Sequence, residues 1–204
     1  MSQVPTDRHG KCATDQVFGR WREGYALDIQ TTSSDFLGYD EYGNPQFDTK
    51  RSPLGELPYK LKYRSDTSVI DEIVEALGSF VAQWNPTVDV IVPVPASRAR
   101  AVQPVLLLAQ SLCEKLGLAL GTESVRKVKE IPELKNVSDY DERIRLMNDA
   151  YSVETSLVRG QKVLLFDDLY RSGATMNSIA SLLYDNAGVL DICALTVTRT
   201  RRLA

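Results

Sequence analysis

The residue types best able to do chemistry are concentrated in one stretch, Val163-Leu164-Leu165-Phe166-Asp167-Asp168-Leu169-Tyr170-Arg171-Ser172-Gly173-Ala174-Thr175. Its four leading apolar residues suit a strand buried on both faces, and Asp167 and Asp168 follow where that strand would leave its sheet. Arg171, Ser172, Gly173, Ala174 and Thr175 then form a small polar loop, which Met176 to Tyr184 can carry into a helix. Backbone N–H groups left free at a helix start, reinforced by the helix dipole, attract a phosphate. Gly173 allows close backbone approach, and Ser172 and Thr175 add hydroxyl donors. Two carboxylates beside such a cradle suit a sugar phosphate, because they accept hydrogen bonds from vicinal hydroxyls. The commoner phosphate loops do not fit: no Lys follows Gly173, and no Gly-x-Gly-x-x-Gly follows a first strand. Taken alone, an acidic pair at a strand end also reads as an ordinary polar turn.

The stretch resembles the thirteen-residue phosphoribosyl-pyrophosphate (PRPP) motif of the type I phosphoribosyltransferases, and all thirteen positions are of the required type. The resemblance implies that Asp167 and Asp168 are the catalytic acids that hold the ribose 2′- and 3′-hydroxyls. It likewise implies that Arg171, Ser172, Gly173, Ala174 and Thr175 wrap the 5′-phosphate. Three further segments are similar to the ComF-type branch: Leu61-Lys62-Tyr63-Arg64, the Val92-Pro93-Val94-Pro95 run with its arginines, and Arg145-x-x-Asn148-x-x-Tyr151. The likeness extends from about Leu54 to Thr198. ComF proteins commonly begin with a cysteine-pair zinc module, which this chain lacks, so no metal is expected in its N-terminal part.

Several elements must position these residues. Val88 to Pro95 reads as a second buried strand, and the loop Ala96-Ser97-Arg98-Ala99-Arg100 carries cations where the first loop carries acids. By resemblance Ala96, Ser97, Arg98 and Arg100 bind pyrophosphate; without it they are a surface loop with solvated arginines. Pro104 suits the first turn of a helix running to about Leu116 and closed by Gly117. Leu54, Leu57 and Leu61 have helical spacing, and the resemblance raises Lys62 above its basic neighbours as an active-site cation. Ser65 to Ser68 offers helix caps, Ser68 and Asp71 have capping-box-like spacing, and Val69 to Trp84 presents one apolar helix face. The charged stretch Val125 to Asn148 reads as a solvated hairpin or helix pair. In type I transferases a mobile flap occupies this place, which singles out Lys135, Arg143, Arg145 and Asn148. After Asn186-Ala187-Gly188, Val189 to Val197 is a last strand, and Thr198 to Arg202 reads as a basic, solubilising end.

Residues 1 to about 16 show no period and read as a loose arm in which the only histidine, His9, is solvated. Gly24 to Thr31 alternates as a strand, and Tyr42-Gly43-Asn44-Pro45 signals a turn. Trp21, Tyr25, Phe36, Leu37 and Phe47 are expected to form a small core of their own, with a base-binding hood as the alternative. The expected division is an arm and β-rich extension over residues 1–53 and a phosphoribosyltransferase-like domain over 54–204. Its fold class is α/β, a mostly parallel sheet flanked by helices.

The net charge of -3 over 204 residues argues against general nucleic-acid binding. Cys113 and Cys193 sit in apolar stretches as inert core thiols, and the three scattered cysteines suit a reducing cytoplasm. No apolar run is long enough to span a bilayer or to serve as a secretory signal, so the expectation is a soluble cytoplasmic protein. The function implied is PRPP-dependent transfer to a nitrogen nucleophile, with Mg²⁺ accompanying PRPP and a base or amine as acceptor. A homodimer is a further expectation. The alternatives are a non-catalytic PRPP or nucleotide sensor and a ComF-like accessory factor in DNA handling.

Overall fold

The structure, a computed structural model, describes residues 14–96, 102–129, 146 and 149–201. Its centre is a six-stranded sheet in the order β1-β2-β10-β9-β5-β6. The strands are β1 (Asp15–Gln16), β2 (Glu23–Ile29), β5 (Val90–Pro93), β6 (Ala119–Leu120), β9 (Lys162–Tyr170) and β10 (Asp191–Arg199). Every neighbouring pair is parallel except the edge pair β1 and β2. The expected architecture, a mostly parallel sheet flanked by helices with a small antiparallel β-rich piece near the N-terminus, is the one found.

Parallel strands need covering on both faces, and the side-chain alternation of β9 supplies both. Val163 and Leu165 join one core layer and Leu164 and Phe166 the other, all four fully buried. Three helices cover the second face: α1 (Pro53–Arg64), α2 (Ile70–Trp84) and α3 (Pro104–Leu116). The first face is covered by α4 (Ala174–Leu182) and the π-helical turn Leu183–Ala187 that extends it. Ser52 caps α1 by accepting a hydrogen bond from the Gly55 N–H at 2.9 Å, with Pro53 in the first turn. The capping read at Ser68 is instead made by Asp66, whose carboxylate accepts from the Ser68 N–H, while α2 begins only at Ile70. A one-turn 3₁₀ segment, Thr67–Val69, intervenes and moves the helix start beyond Ser68.

The N-terminal piece differs from expectation. β2 is a strand of the central sheet, parallel to β10, so its side chains meet both core layers. Trp21 is buried in one, and Tyr25 packs edge-on against Phe80 and Trp84 of α2 at 5.4 and 5.0 Å. The separate core expected for these residues therefore does not form. Phe36, Leu37 and Phe47 belong to a two-stranded antiparallel hairpin of β3 (Thr31–Tyr39) and β4 (Pro45–Arg51), which has no layer to pack on and leaves them 53, 69 and 52% exposed. The basic end read from Thr198 also shifts. Thr198 is buried within β10, and Arg199 closes that strand with its Nε 2.8 Å from an Asp15 carboxylate oxygen. Among the described residues no helix is long and apolar enough to cross a membrane.

Candidate functional site

The site begins where the sheet divides. β5 pairs with β9 only as far as Pro93 opposite Phe166, and a last bond runs from the Val94 N–H to the Phe166 carbonyl at 2.8 Å. β10, by contrast, follows β9 to Tyr170. Asp167 and Asp168 are thus still within a strand, not beyond it as expected, but on the β5 side the sheet has opened. An open parallel sheet offers its ligand crevice beyond the carboxyl ends of its strands. The crevice here is a cleft of about 1200 Å³, bordered by Asp167, Asp168 and the residues 171–175.

Strand alternation sends the two carboxylates to opposite faces. Asp168, 6% exposed, continues the Leu164–Phe166 side, and Lys62 of α1 meets it there with Nζ 3.1 Å from Oδ2. Asp167 continues the Val163–Leu165 side, and its Oδ1 accepts from the Asp168 N–H at 2.8 Å. Burial, and then the neighbouring charge of Asp168, push the Asp167 carboxyl well above the usual carboxylate range. One acid is therefore paired with a cation while the other holds a proton more tightly than an ordinary aspartate.

The loop after β9 leads into a helix as the sequence suggests and is held in a way the sequence does not suggest. Gly173 is the N-cap of α4 at φ +75°, and a Cβ there would lie 2.5 Å from the Tyr170 hydroxyl, so both conformation and space select glycine. A segment near the N-terminus straps this loop from outside. Tyr170 donates its hydroxyl to the Phe18 carbonyl at 2.9 Å, and Trp21 meets the Tyr170 ring edge-on. The Arg20 N–H donates to Asn177 Oδ1 at 2.7 Å, while Asn177 Nδ2 donates to the Gly173 carbonyl at 3.0 Å. Arg20 itself is anchored on Asp185 by a bidentate pair, with Nη1 and Nη2 at 2.7 and 2.6 Å. Phe18, Arg20 and Asn177 were missed by sequence reasoning, since contacts spanning 157 positions leave no local pattern.

Of the residues singled out from sequence, Asp167, Asp168, Arg171 to Thr175, Ala96 and Lys62 border this one cleft. Ser97, Arg98, Arg100, Lys135, Arg143, Arg145 and Asn148 lie outside the described residues. β7 (Val125–Lys127) and β8 (Tyr151–Val153) pair antiparallel, and Arg126, Lys127 and Tyr151 line the cleft. Among the described residues no three His, Cys, Asp or Glu side chains are grouped to hold a metal ion. Cys113 and Cys193 are buried, and burial pushes the Cys113 thiol up to about 11 and the Cys193 thiol upward.

No protein-family model matches the chain. Competence protein ComFC of Bacillus subtilis (strain 168) is 24% identical over 154 residues, which cover 74% of this chain and 62% of that protein. The chain thus matches less than two thirds of the length of this curated relative. Solved structures similar to it include adenine phosphoribosyltransferase of Saccharomyces cerevisiae, 12% identical with TM-score 0.48, covering 81% of this chain and 83% of that one. Another is the adenine phosphoribosyltransferase of Leishmania tarentolae, 10% identical with TM-score 0.48, covering 92% and 94%. The glutamine PRPP amidotransferase of B. subtilis is 20% identical with TM-score 0.45, covering 61% and 26%. The similarity to ComFC bears out the ComF-type resemblance read from the sequence motifs.

Proposed function

We propose that this protein binds PRPP in the cleft at the end of β9 and transfers its phosphoribosyl group to a nitrogen nucleophile of the nucleobase class. The observation that carries this reading is the convergence of the Asp167–Asp168 pair, the Gly173-capped start of α4 and Lys62 on one cleft. Asp167 and Asp168 accept the ribose hydroxyls. Residues 171–175 take the 5′-phosphate. Ala96, with Ser97, Arg98 and Arg100, takes the diphosphate, and Lys135, Arg143, Arg145 and Asn148 close over it.

In the reaction the acceptor nitrogen's lone pair forms a bond to ribose C1 as the C1–oxygen bond to the diphosphate breaks. The electron pair of that bond leaves with pyrophosphate, and the acceptor's proton passes to an aspartate. Such a transition state gains most from positioning and from charge stabilisation of the leaving group. The donors present fit Mg²⁺: Asp167 and Asp168 offer hard oxygens but too few to bind it alone, so the ion would enter with PRPP. Bound there, it would neutralise diphosphate charge.

Calorimetry with PRPP and Mg²⁺, followed by a pyrophosphate-release assay against a panel of bases, tests the proposal. Binding and release with one base are expected, and both should vanish in the Asp167→Asn/Asp168→Asn double variant. Full turnover in that variant refutes the assignment. The name of the curated relative favours a second reading, a PRPP-binding accessory protein of competence. Binding without pyrophosphate release for any base would select it.

A further inference from the structure

We infer that the hairpin of β3 and β4 is the surface through which two copies of this chain pair about a two-fold axis, aromatic face against aromatic face. The inference stands on the hairpin and does not depend on the proposed function. Phe36 and Phe47 are partners in the β3–β4 register, so both side chains project from one face, with their rings 5.5 Å apart. Tyr39, one irregularity of register further on, joins them with its ring 5.2 Å from that of Phe36. Asp35 and Asp48 are the neighbouring pair in the register and project from the opposite face. A two-stranded hairpin is marginal in water by itself, and covering its apolar face stabilises it.

The area matches what a dimer needs. Tyr39 and the tip residue Tyr42 are 71 and 81% exposed, more than Phe36 and Phe47. At roughly 150–250 Å² per aromatic side chain, the four present about 400–600 Å². A standard interface takes about 800 Å² from each partner, a little over half of it apolar, so roughly 450 Å². The tip is already ordered, because the Asp40 carboxylate accepts from the Tyr42 and Asn44 N–H groups at 2.9 and 2.8 Å, and this lowers the ordering cost of association. Charge then selects a second copy as the partner. From Asp35 to Asp48 the chain has four acids and no Lys or Arg. The base of the hairpin carries Lys50, Arg51 and Arg201, whose Nη1 donates to the Thr32 carbonyl at 3.1 Å. The Phe36–Phe47 pair lies near the middle of β3 and β4, so a two-fold axis there lays each acidic tip over the basic base of the other copy. Asp35 and Asp48 stay in water on the outer faces, and their charge opposes further stacking, which closes the assembly at two copies.

Sedimentation velocity on the full chain, across a concentration series at low ionic strength, reads the assembly directly. A concentration-dependent dimer is expected. Phe36→Thr/Phe47→Thr, which keeps strand-forming residues in the hairpin, should raise the dimer dissociation constant about thirtyfold or more, the size of hot-spot aromatics. Glu41→Lys should raise it about tenfold, because the contact occurs twice in a two-fold dimer and reverses sign in both places. Adding Lys50→Glu and Arg201→Glu to that variant should restore pairing. Glu41 lies in the exposed turn, so this arm reads the interface even where the double phenylalanine variant melts the hairpin. A chain that stays monomeric at every concentration overturns the inference. So does a dimer whose dissociation constant is unchanged in Phe36→Thr/Phe47→Thr. Equal pairing by Glu41→Lys and the unaltered chain, or a loss that the compensating reversals do not recover, overturns the tip-to-base arrangement.

Discussion

Replacing Lys62 by methionine should destabilise the protein more than replacing its partner Asp168 by asparagine. The two charges stand 3.1 Å apart, which at an effective dielectric of 20 corresponds to about 5 kcal/mol of direct attraction. Solvent reduces this, because the Lys62 side chain is 28% exposed whereas that of Asp168 is only 9% exposed. That inequality sets the asymmetry. Without Lys62 the carboxylate stays buried beside Asp167 with its charge uncompensated, a loss near the lower end of the range for broken buried pairs, about 3 kcal/mol. Without the Asp168 charge, Lys62 can turn its ammonium to water on a flexible stem, and the repulsion on Asp167 is relieved as well. The cost there should be about 1 kcal/mol, as for surface pairs. For a domain of this size the melting temperature should fall by roughly 6–12 °C for Lys62→Met and roughly 2–4 °C for Asp168→Asn. Urea unfolding of both single variants and the double variant at pH 7.5 measures the costs and their coupling. A loss in Asp168→Asn equal to or greater than that in Lys62→Met would refute the argument that burial of the acid, and not the contact itself, sets the cost.

Three shorter predictions concern the same cleft. Asp167→Asn should raise stability at neutral pH: the folded state holds that proton more tightly than the unfolded chain, so the cost of Asp167 grows as pH rises from the unfolded carboxylate value of about 3.9 and is complete above the raised folded value. The gain should disappear in thermal melts taken below the unfolded carboxylate range, about pH 3.9, and a gain that persists there would contradict this cause. Gly173→Ala should cost roughly 1–3 kcal/mol through its positive φ and its contact with Tyr170, and should weaken PRPP binding more than it lowers the melting temperature. Asn177→Ala removes the link between Arg20 and the Gly173 carbonyl. Stability should drop by about 1–2 kcal/mol, with PRPP affinity about tenfold lower by calorimetry; unchanged affinity would show that the strap does not position the loop.

What could be read from sequence was what is local. The strand beginning near Val163, the loop at residues 171–173 and the helix after it are contiguous and were legible, whereas the run of the strand on through Asp167 and Asp168 to Tyr170 was not. Helix ends at Asn85 and Gly117 were equally legible, because a left-handed closing residue is a local demand. β2 shows the limit. Its alternation identified a strand, but a period of two says which side chains share a face and nothing about which strand lies alongside. Only the structure shows that β2 joins β10; Trp21, just before that strand, is buried in the core of the main sheet and Tyr25 packs against it. Phe36 and Phe47, similar in character, stay exposed on a two-stranded hairpin that lies outside the central sheet.

The same distinction explains why the site was only half visible. The motif named both carboxylates, but their different environments come from elements more than 100 positions away: Lys62 reaches Asp168 across 106 residues, and Phe18 takes the Tyr170 hydroxyl across 152. Where β5 stops, at Pro93, has a further consequence. The β5 ladder ends at Phe166 while β10 continues to Tyr170, which leaves β9 paired on one side and open on the other at the two aspartates. One acid can then be gripped from the helix face and its neighbour held from the opposite face, with the cleft between the separated strands. The cleft therefore owes its existence to where the β5 ladder stops as much as to the charged groups that line it.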